Sequence, residues 1–143
     1  MILRQAELND KKEVLDIVNG LSLNIPDFVW HQDEFVERQI QNKEYFVIED
    51  GGKLAGAMSL RQRANKITIE TLVVKKEFQG RGFGTKFKEF AKAFTQERGL
   101  ATLHAYSFCQ YQSADFYIKK GFKVLPYFGY YKHHKYDCFE LAI

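Results

Sequence analysis

Three glycines at every second position, Gly80, Gly82 and Gly84, mark the junction between an apolar run ending at Val74 and an amphipathic run that begins around Phe83. Glycine weakens strands and helices alike, so their clustering at such a junction calls for a use of the bare backbone. Main-chain N–H groups there can converge on one point, and the start of a helix adds its own N–H groups and positive dipole end. The matching ligand is an anion, a phosphate or pyrophosphate. Lys75, Lys76, Arg81 and Lys86 surround the turn with positive charge. The competing reading is a tight turn where helix and strand pack closely, and three glycines in five residues count against it. Nucleotide motifs fit poorly. The stretch "GRGFGTK" lacks the GxxxxGK[ST] spacing of a P-loop, and GxGxxG fails at Thr85. The next strand, "LATLHAYS", has no acidic residue to hold a ribose.

Charge is unevenly spread around this turn. The net charge of the 143 residues is only +3, too small to argue for nucleic acid. Residues 1–65 carry 8 Lys and Arg against 11 Asp and Glu, whereas residues 66–143 carry 13 against 7. The C-terminal half therefore favours an anion, and the N-terminal half tolerates a cation. Cys109 and Cys138 are the only cysteines and show no metal-type spacing, so no metal is expected. They read as reduced, buried thiols of a cytoplasmic protein. No run of residues is apolar for the roughly 20 positions a membrane span needs, and the N-terminus lacks the pattern of a signal peptide.

The elements that must position the turn follow from periodicity. Residues 2–6 read as a strand, and Asn9-Asp10 offers an N-cap to a helix that Gly20 can end. A second helix spans about Asp33–Gln41. "EYFVIEDGGKLAGAMSL" reads as a hairpin around Gly51-Gly52, and "KITIETLVV" is the next strand. In that strand Ile67, Ile69, Thr71 and Val73 share one face, while Thr68, Glu70, Leu72 and Val74 share the other. After the glycines a helix runs to about Glu97, with Phe83, Phe87, Phe90 and Phe94 as one core stripe. "LATLHAYS" is a strand, "QSADFYIKK" a short helix stopped by Gly121, and two strands finish the chain. The order β-α-α-β-β-β-α-β-α-β-β predicts a mixed sheet covered by helices, in the α+β class, as one domain over residues 1–143.

Gln79-Gly80-Arg81-Gly82-Phe83-Gly84 matches Q/R-x-x-G-x-G/A, and so resembles the acetyl-CoA signature of the GNAT N-acetyltransferase superfamily. Leu72-Val73-Val74 resembles that family's central strand, and Phe116-Tyr117-Ile118-Lys119-Lys120-Gly121-Phe122 its FYxKxGF element. The order of elements agrees over essentially the whole chain. The chain departs from the pattern at Lys76, where the family often has Pro, and near Gln110, where it often has Asn. The resemblance implies a central twisted sheet of six to seven strands, about four helices and splayed central strands. It also implies acetyl-CoA as co-substrate. Leu72, Val73 and Val74 would line the pantetheine arm, with backbone groups of Leu72 and Val74 bonding it. Gln79, Gly80, Arg81, Gly82, Phe83, Gly84 and Thr85 would hold the pyrophosphate.

The implied reaction moves an acetyl group to a primary amine by direct attack, through a tetrahedral intermediate. An alkyl amine with a pKa near ~10 must first lose a proton, and the oxyanion needs a fixed donor. The resemblance places Tyr117 near the sulfur as the acid that assists the leaving thiolate. Glu70, on the Leu72 face of its strand, is the candidate base, directly or through water; His104 and Tyr106 are the alternatives. In this family the acceptor is held by the first helices, their loop and the last strands. Here those carry Asp27, Phe28, Trp30 and, near the C-terminus, Tyr130, with Tyr106 on the strand between. Carboxylates among aromatics suit a cationic amine, either a small molecule or a protein amine. Neither a nucleic acid nor a membrane is an expected partner, and many relatives are homodimers. The rival function is a catalytically silent sensor that binds acyl-CoA.

Overall fold

The computed structural model describes residues 1–20, 28–109 and 113–143. The strands are β1 (Ile2–Gln5), β2 (Tyr45–Asp50), β3 (Lys53–Arg63), β4 (Lys66–Val74), β5 (Thr102–Phe108), β6 (Lys123–Tyr131) and β7 (His134–Ala142). The helices are α1 (Lys11–Asn19), α2 (Asp33–Gln41), α3 (Phe83–Glu97) and α4 (Ser113–Lys119), joined by short 3-10 turns at Leu8–Asp10, Val29–His31 and Lys76–Phe78. The seven strands form one mixed sheet in the order β1-β2-β3-β4-β5-β7-β6. Element order, strand number and helix number agree with the sequence expectation.

The chain divides into two units, and β3, β4 and α3 each run from one into the other. The first comprises 1–60 and 71–87, the second 61–70 and 88–143. In the first, β1 and β2 are antiparallel, as are β2 and β3. Gly51 and Gly52 join β2 to β3 with φ of 61° and 80°, the left-handed pair that a two-residue hairpin turn requires. Val14, Ile17 and Val18 of α1 and Val36 and Ile40 of α2 pack with Tyr45, Val47, Leu54, Ala57 and Val73. That burial is the main force holding the two short helices, since helices of this length are marginal alone. The start of α1 differs from expectation. Asp10 does not cap it with its side chain. Its carboxylate instead accepts the Glu7 N–H at 2.8 Å and a two-pronged pair from Arg4 at 2.8 and 3.0 Å, which adds the turn Leu8–Asp10 ahead of the helix.

In the second unit β4 pairs in parallel with β5 over three positions, Ile67–Leu103, Thr68–His104 and Ile69–Ala105. β5 pairs antiparallel with β7 along its whole length, and β7 with β6. The β6–β7 register slips between Val124 and Phe128, so residues 125–127, with Pro126 at their centre, form a bulge on the outermost strand. Ile67, Ile69, Leu103, Ala105, Tyr117, Phe122 and Phe139 are buried.

Helix α3 corrects the aromatic stripe. Its buried positions are Phe83, Phe87, Ala91 and Thr95, four apart, while Phe90 and Phe94 are half-buried. Those two rings lie 6.3 Å apart, and the Arg98 guanidinium covers Phe94 at 3.3 Å. In a helix of 3.6 residues per turn a spacing of four advances by about 40° at each step, so the buried line winds round α3 from Phe83 to Thr95 and leaves Phe90 and Phe94 at its margin. Cys109 also departs from expectation: it is exposed and donates to an Asp137 oxygen at 3.4 Å, whereas Cys138 is buried.

Candidate active site

The first unit carries the whole of the expected cofactor set. Along β4 the burial alternates, with Thr71 and Val73 buried and Leu72 and Val74 half-buried. The Gln79 side-chain amide donates to the Val74 carbonyl at 3.0 Å and ties the start of the turn to the end of the strand. The Lys75 N–H donates to the Ala55 carbonyl at 2.8 Å, holding that end to β3. Gly80 and Gly82 have φ of 79° and 84°, a conformation costly for other residues, and a Cβ on either would meet nothing within 4 Å. Their lack of a side chain therefore serves the backbone path and leaves the space above it open. The Lys86 N–H makes the first ladder bond of α3, to the Gly82 carbonyl at 3.1 Å. The amides of Phe83 and Gly84 precede that bond and face out of the helix start. Arg81 is exposed, its guanidinium 5.3 Å from the Phe78 ring, which lies 5.9 Å from Phe83. This geometry fits a pyrophosphate: a positive, exposed turn whose donors are main-chain N–H groups.

One residue needed for this arrangement was not singled out in the sequence. A Cβ on Gly56 of β3 would lie 2.6 Å from the Val73 carbonyl oxygen and 3.0 Å from the Phe87 ring. Gly56 thus lets the first turns of α3 press onto the end of β4. Its signal was a glycine inside a strand run, which marks close backbone approach.

Two of the expected acceptor residues lie in the same unit. Phe28 and Trp30 stack at 5.2 Å, Trp30 meets Phe35 at 5.8 Å, and His31 sits edge-on to Phe28 at 4.8 Å. Burial pushes the His31 imidazole down to about 4, so it is neutral at pH 7. Asp27 lies outside the described residues. Asp33 and Glu37 are drawn to the Lys11 ammonium at 3.2 and 3.3 Å, so Asp33 is already engaged by a cation of the chain itself.

The second unit holds the expected catalytic side chains. Tyr117 is buried, its ring 5.2 Å from Phe122 and 5.5 Å from Phe139, and burial pushes its phenol up so that it keeps its proton. The Glu70 side chain is 8% exposed and forms an ion pair with Arg61 Nε at 3.4 Å. Paired residues share a sheet face. Tyr106 opposes Cys138 and Tyr130 opposes Lys135, so the two tyrosines lie on opposite faces. Tyr117, packed on Phe139, lies on the face away from Tyr106. Tyr130 is 64% exposed, with Phe128 at 5.7 Å.

His104 bonds the Thr102 hydroxyl through Nε2 at 3.1 Å, and its buried Nδ1 has no partner among the described residues. Burial and then the Lys66 charge hold its imidazole below the usual value, against an opposing pull from Glu140. Lys66 places its ammonium 5.7 Å from the centre of the Tyr106 ring. Neither Arg61 nor Lys66 was singled out in the sequence. They flank the turn at Ala64-Asn65, and reading β3 and β4 as a hairpin would have brought Arg61 to Glu70. Among the described residues no group of three or more acidic, His or Cys side chains could hold a metal, and no helix is long and apolar enough to cross a membrane.

The fold has many solved counterparts. PaiA N-acetyltransferase from Thermoplasma acidophilum, solved with coenzyme A, superposes with a TM-score of 0.82 at 17% identity, over 99% of this chain and 98% of that one. Ribosomal-protein-S18-alanine N-acetyltransferase from Escherichia coli gives 0.76 at 19% identity, over 99% and 93%. N-acetylglutamate synthase from Neisseria gonorrhoeae, solved with coenzyme A and N-acetylglutamate, gives 0.77 at 18%, over 99% of this chain but 34% of that one. Curated protein sequences offer no match. The acetyltransferase (GNAT) domain family matches residues 41–124, more than half the chain and the stretch that contains β4, the glycine turn and α4. The chain belongs to the GNAT acetyltransferase family.

Proposed function

We propose that the chain is an N-acetyltransferase that uses acetyl-CoA to acetylate a primary amine by direct attack. The observation that carries this reading is the turn at 79–85. Gly80 and Gly82 are left-handed with open space beside them, and Gln79 fastens the turn to the end of β4. Acetyl-CoA would supply an activated thioester. The chain supplies everything else. Main-chain amides of 79–85 take the pyrophosphate charge, and backbone groups of Leu72 and Val74 align the pantetheine arm. One Val74 carbonyl lone pair is used by Gln79, and a carbonyl has two. A backbone N–H near Leu72–Val74 receives the oxyanion.

Glu70 takes the proton of the incoming ammonium, directly or through a water, while the ion pair with Arg61 holds its carboxylate in place. As the new C–N bond forms and the C–S bond breaks, Tyr117 donates a hydrogen bond or its proton to the leaving sulfur. Its upward-shifted phenol supports the role of donor over that of base. The acceptor is an amine, of a small molecule or of a protein. Two observations favour a second reading, an acyl-CoA sensor without turnover: Tyr117 is enclosed by aromatic rings, and Glu70 is held in an ion pair.

Release of free thiol from acetyl-CoA over a panel of amines separates the two. Amine-dependent release, lost in Glu70→Gln mainly at lower pH where the amine is mostly protonated, is the expected result. Tight acetyl-CoA binding with no release for any amine assigns the chain to the sensor class.

A further inference from the structure

Among the described residues, Arg4, Lys11, Arg61 and Lys88 each have a carboxylate within ion-pairing distance. Lys66 has none among the described residues, although it is half-buried. Its ammonium lies instead against the Tyr106 ring at 5.7 Å, and Tyr106 meets Tyr136 edge-on at 5.3 Å. The charge is felt widely: it opposes the upward shifts of the Tyr136 phenol and the Cys138 thiol, and pushes the His104 imidazole down. The Lys66 ammonium, reaching from the start of β4, therefore shares one sheet face with His104, Tyr106, Tyr136 and Cys138.

Register identifies the other charges on that face. Glu140 opposes His104, and Lys123 opposes Glu140. Glu70 follows on β4 and is paired with Arg61. Arg63, two residues from Arg61 on β3, shares the face, so four cations meet two carboxylates there, and His104 adds no charge at neutral pH. Arg63 and Lys123 are exposed to water and Arg61 is paired, which leaves Lys66 as the half-buried cation without a carboxylate among the described residues of the face. A partly desolvated cation without a counter-ion is costly, and a ring face compensates for only part of that loss. Tyr106 remains 37% exposed, so the position is open to a ligand.

We propose that the acceptor carries a carboxylate beside its amine, and that the Lys66 ammonium binds that carboxylate over the Tyr106 ring while Glu70 serves the amine. This rests on the acetyltransferase reading. The single half-buried ammonium without a carboxylate matches a monoanion, which favours a carboxylate over a phosphate dianion. The acceptor class is an amino acid, and recognition of a cationic amine by the acidic N-terminal residues is disfavoured, since Asp33 there is engaged by Lys11.

The test compares amines that differ by one anionic group: lysine with cadaverine, phenylalanine with phenethylamine, and phosphoethanolamine with ethanolamine. Thiol release is measured at saturating acetyl-CoA for the wild type, Lys66→Ala and Lys66→Arg. The carboxylate-bearing partner is expected to have the higher kcat/KM by ~10-fold or more, the scale of one charge-assisted contact. In Lys66→Ala the advantage disappears through the KM of that partner alone, and Lys66→Arg restores it. A wild-type preference for the uncharged-tail amines, a best rate with phosphoethanolamine, or a carboxylate preference that survives in Lys66→Ala each overturns the proposal. If no amine is acetylated, the acetyltransferase reading fails by itself. Calorimetric titration of lysine and phenylalanine into the CoA-loaded chain then decides the site: Lys66-dependent binding supports it, and no binding overturns it.

Discussion

The turn at 79–85 and the face around Lys66 both favour negative charge, but they are made of different material. In the turn the donors are main-chain N–H groups, and the residues that matter are those lacking a side chain, Gly80 and Gly82. On the Lys66 face every group is a side chain, gathered from β3, β4, β5, β6 and β7 by strand register. A backbone site depends on the path of the chain and on the few residues that support it, here Gly56 and Gln79. A side-chain site can be rewritten by single substitutions without touching the fold.

Breaking the two kinds of site should give different signatures. The largest effect is expected on the side-chain chemistry. Tyr117→Phe keeps the packing on Phe122 and Phe139 and removes only the hydroxyl, so kcat should fall by roughly 100-fold, the low end for a general acid. Acetyl-CoA affinity and melting temperature should stay near wild type; equal turnover at all pH values would remove Tyr117 from that role. Next comes the support of the backbone site. Gly56→Ala drives a Cβ onto the Val73 carbonyl and the Phe87 ring, and about 2 kcal/mol of stability should be lost in denaturant unfolding.

Gly82→Ala meets no neighbour, so only its left-handed φ is penalised, by about 1 kcal/mol. Its signature is a weaker affinity for acetyl-CoA, by several-fold, in a chain almost as stable as wild type. If Gly56→Ala and Gly82→Ala proved equally destabilising, the distinction between a glycine that makes room and one that permits a path would fail. The smallest and most local effect is of pH. His31 is held near 4, below the ordinary value of about 6.5. Its contribution to stability is complete above about 6.5 and is lost as pH falls towards 4. Unfolding at pH 5 should show a loss of about 1 kcal/mol relative to pH 7, allowing for partial exposure, and His31→Leu should remove that share of the pH dependence.

Legibility in the sequence follows the same division. The glycine turn, the Gly51-Gly52 hairpin and the alternation of β4 depend on local backbone rules, and each stands where periodicity placed it. The departures involve choices between side chains. Asp10 turned from capping α1 to binding Arg4, because a guanidinium from β1 lies within reach of both its oxygens. Phe90 and Phe94 yielded the core to Ala91 and Thr95, because buried area depends on the angle round the helix as well as on apolarity. Tyr106 and Tyr130 share a chemistry but face opposite sides, which depends on the β5–β7–β6 register and a bulge that no local pattern reveals.

The bulge at residues 125–127 has a further consequence. β6 is the last strand of the sheet and displays Tyr127, Phe128 and Tyr130 to solvent. Such an edge is a template on which other chains can stack into fibrils. Pro126 has no N–H to offer, and the slipped register bends the strand around it. The chain can thus carry a row of exposed aromatic rings on its outermost strand and still resist ordered aggregation at high concentration.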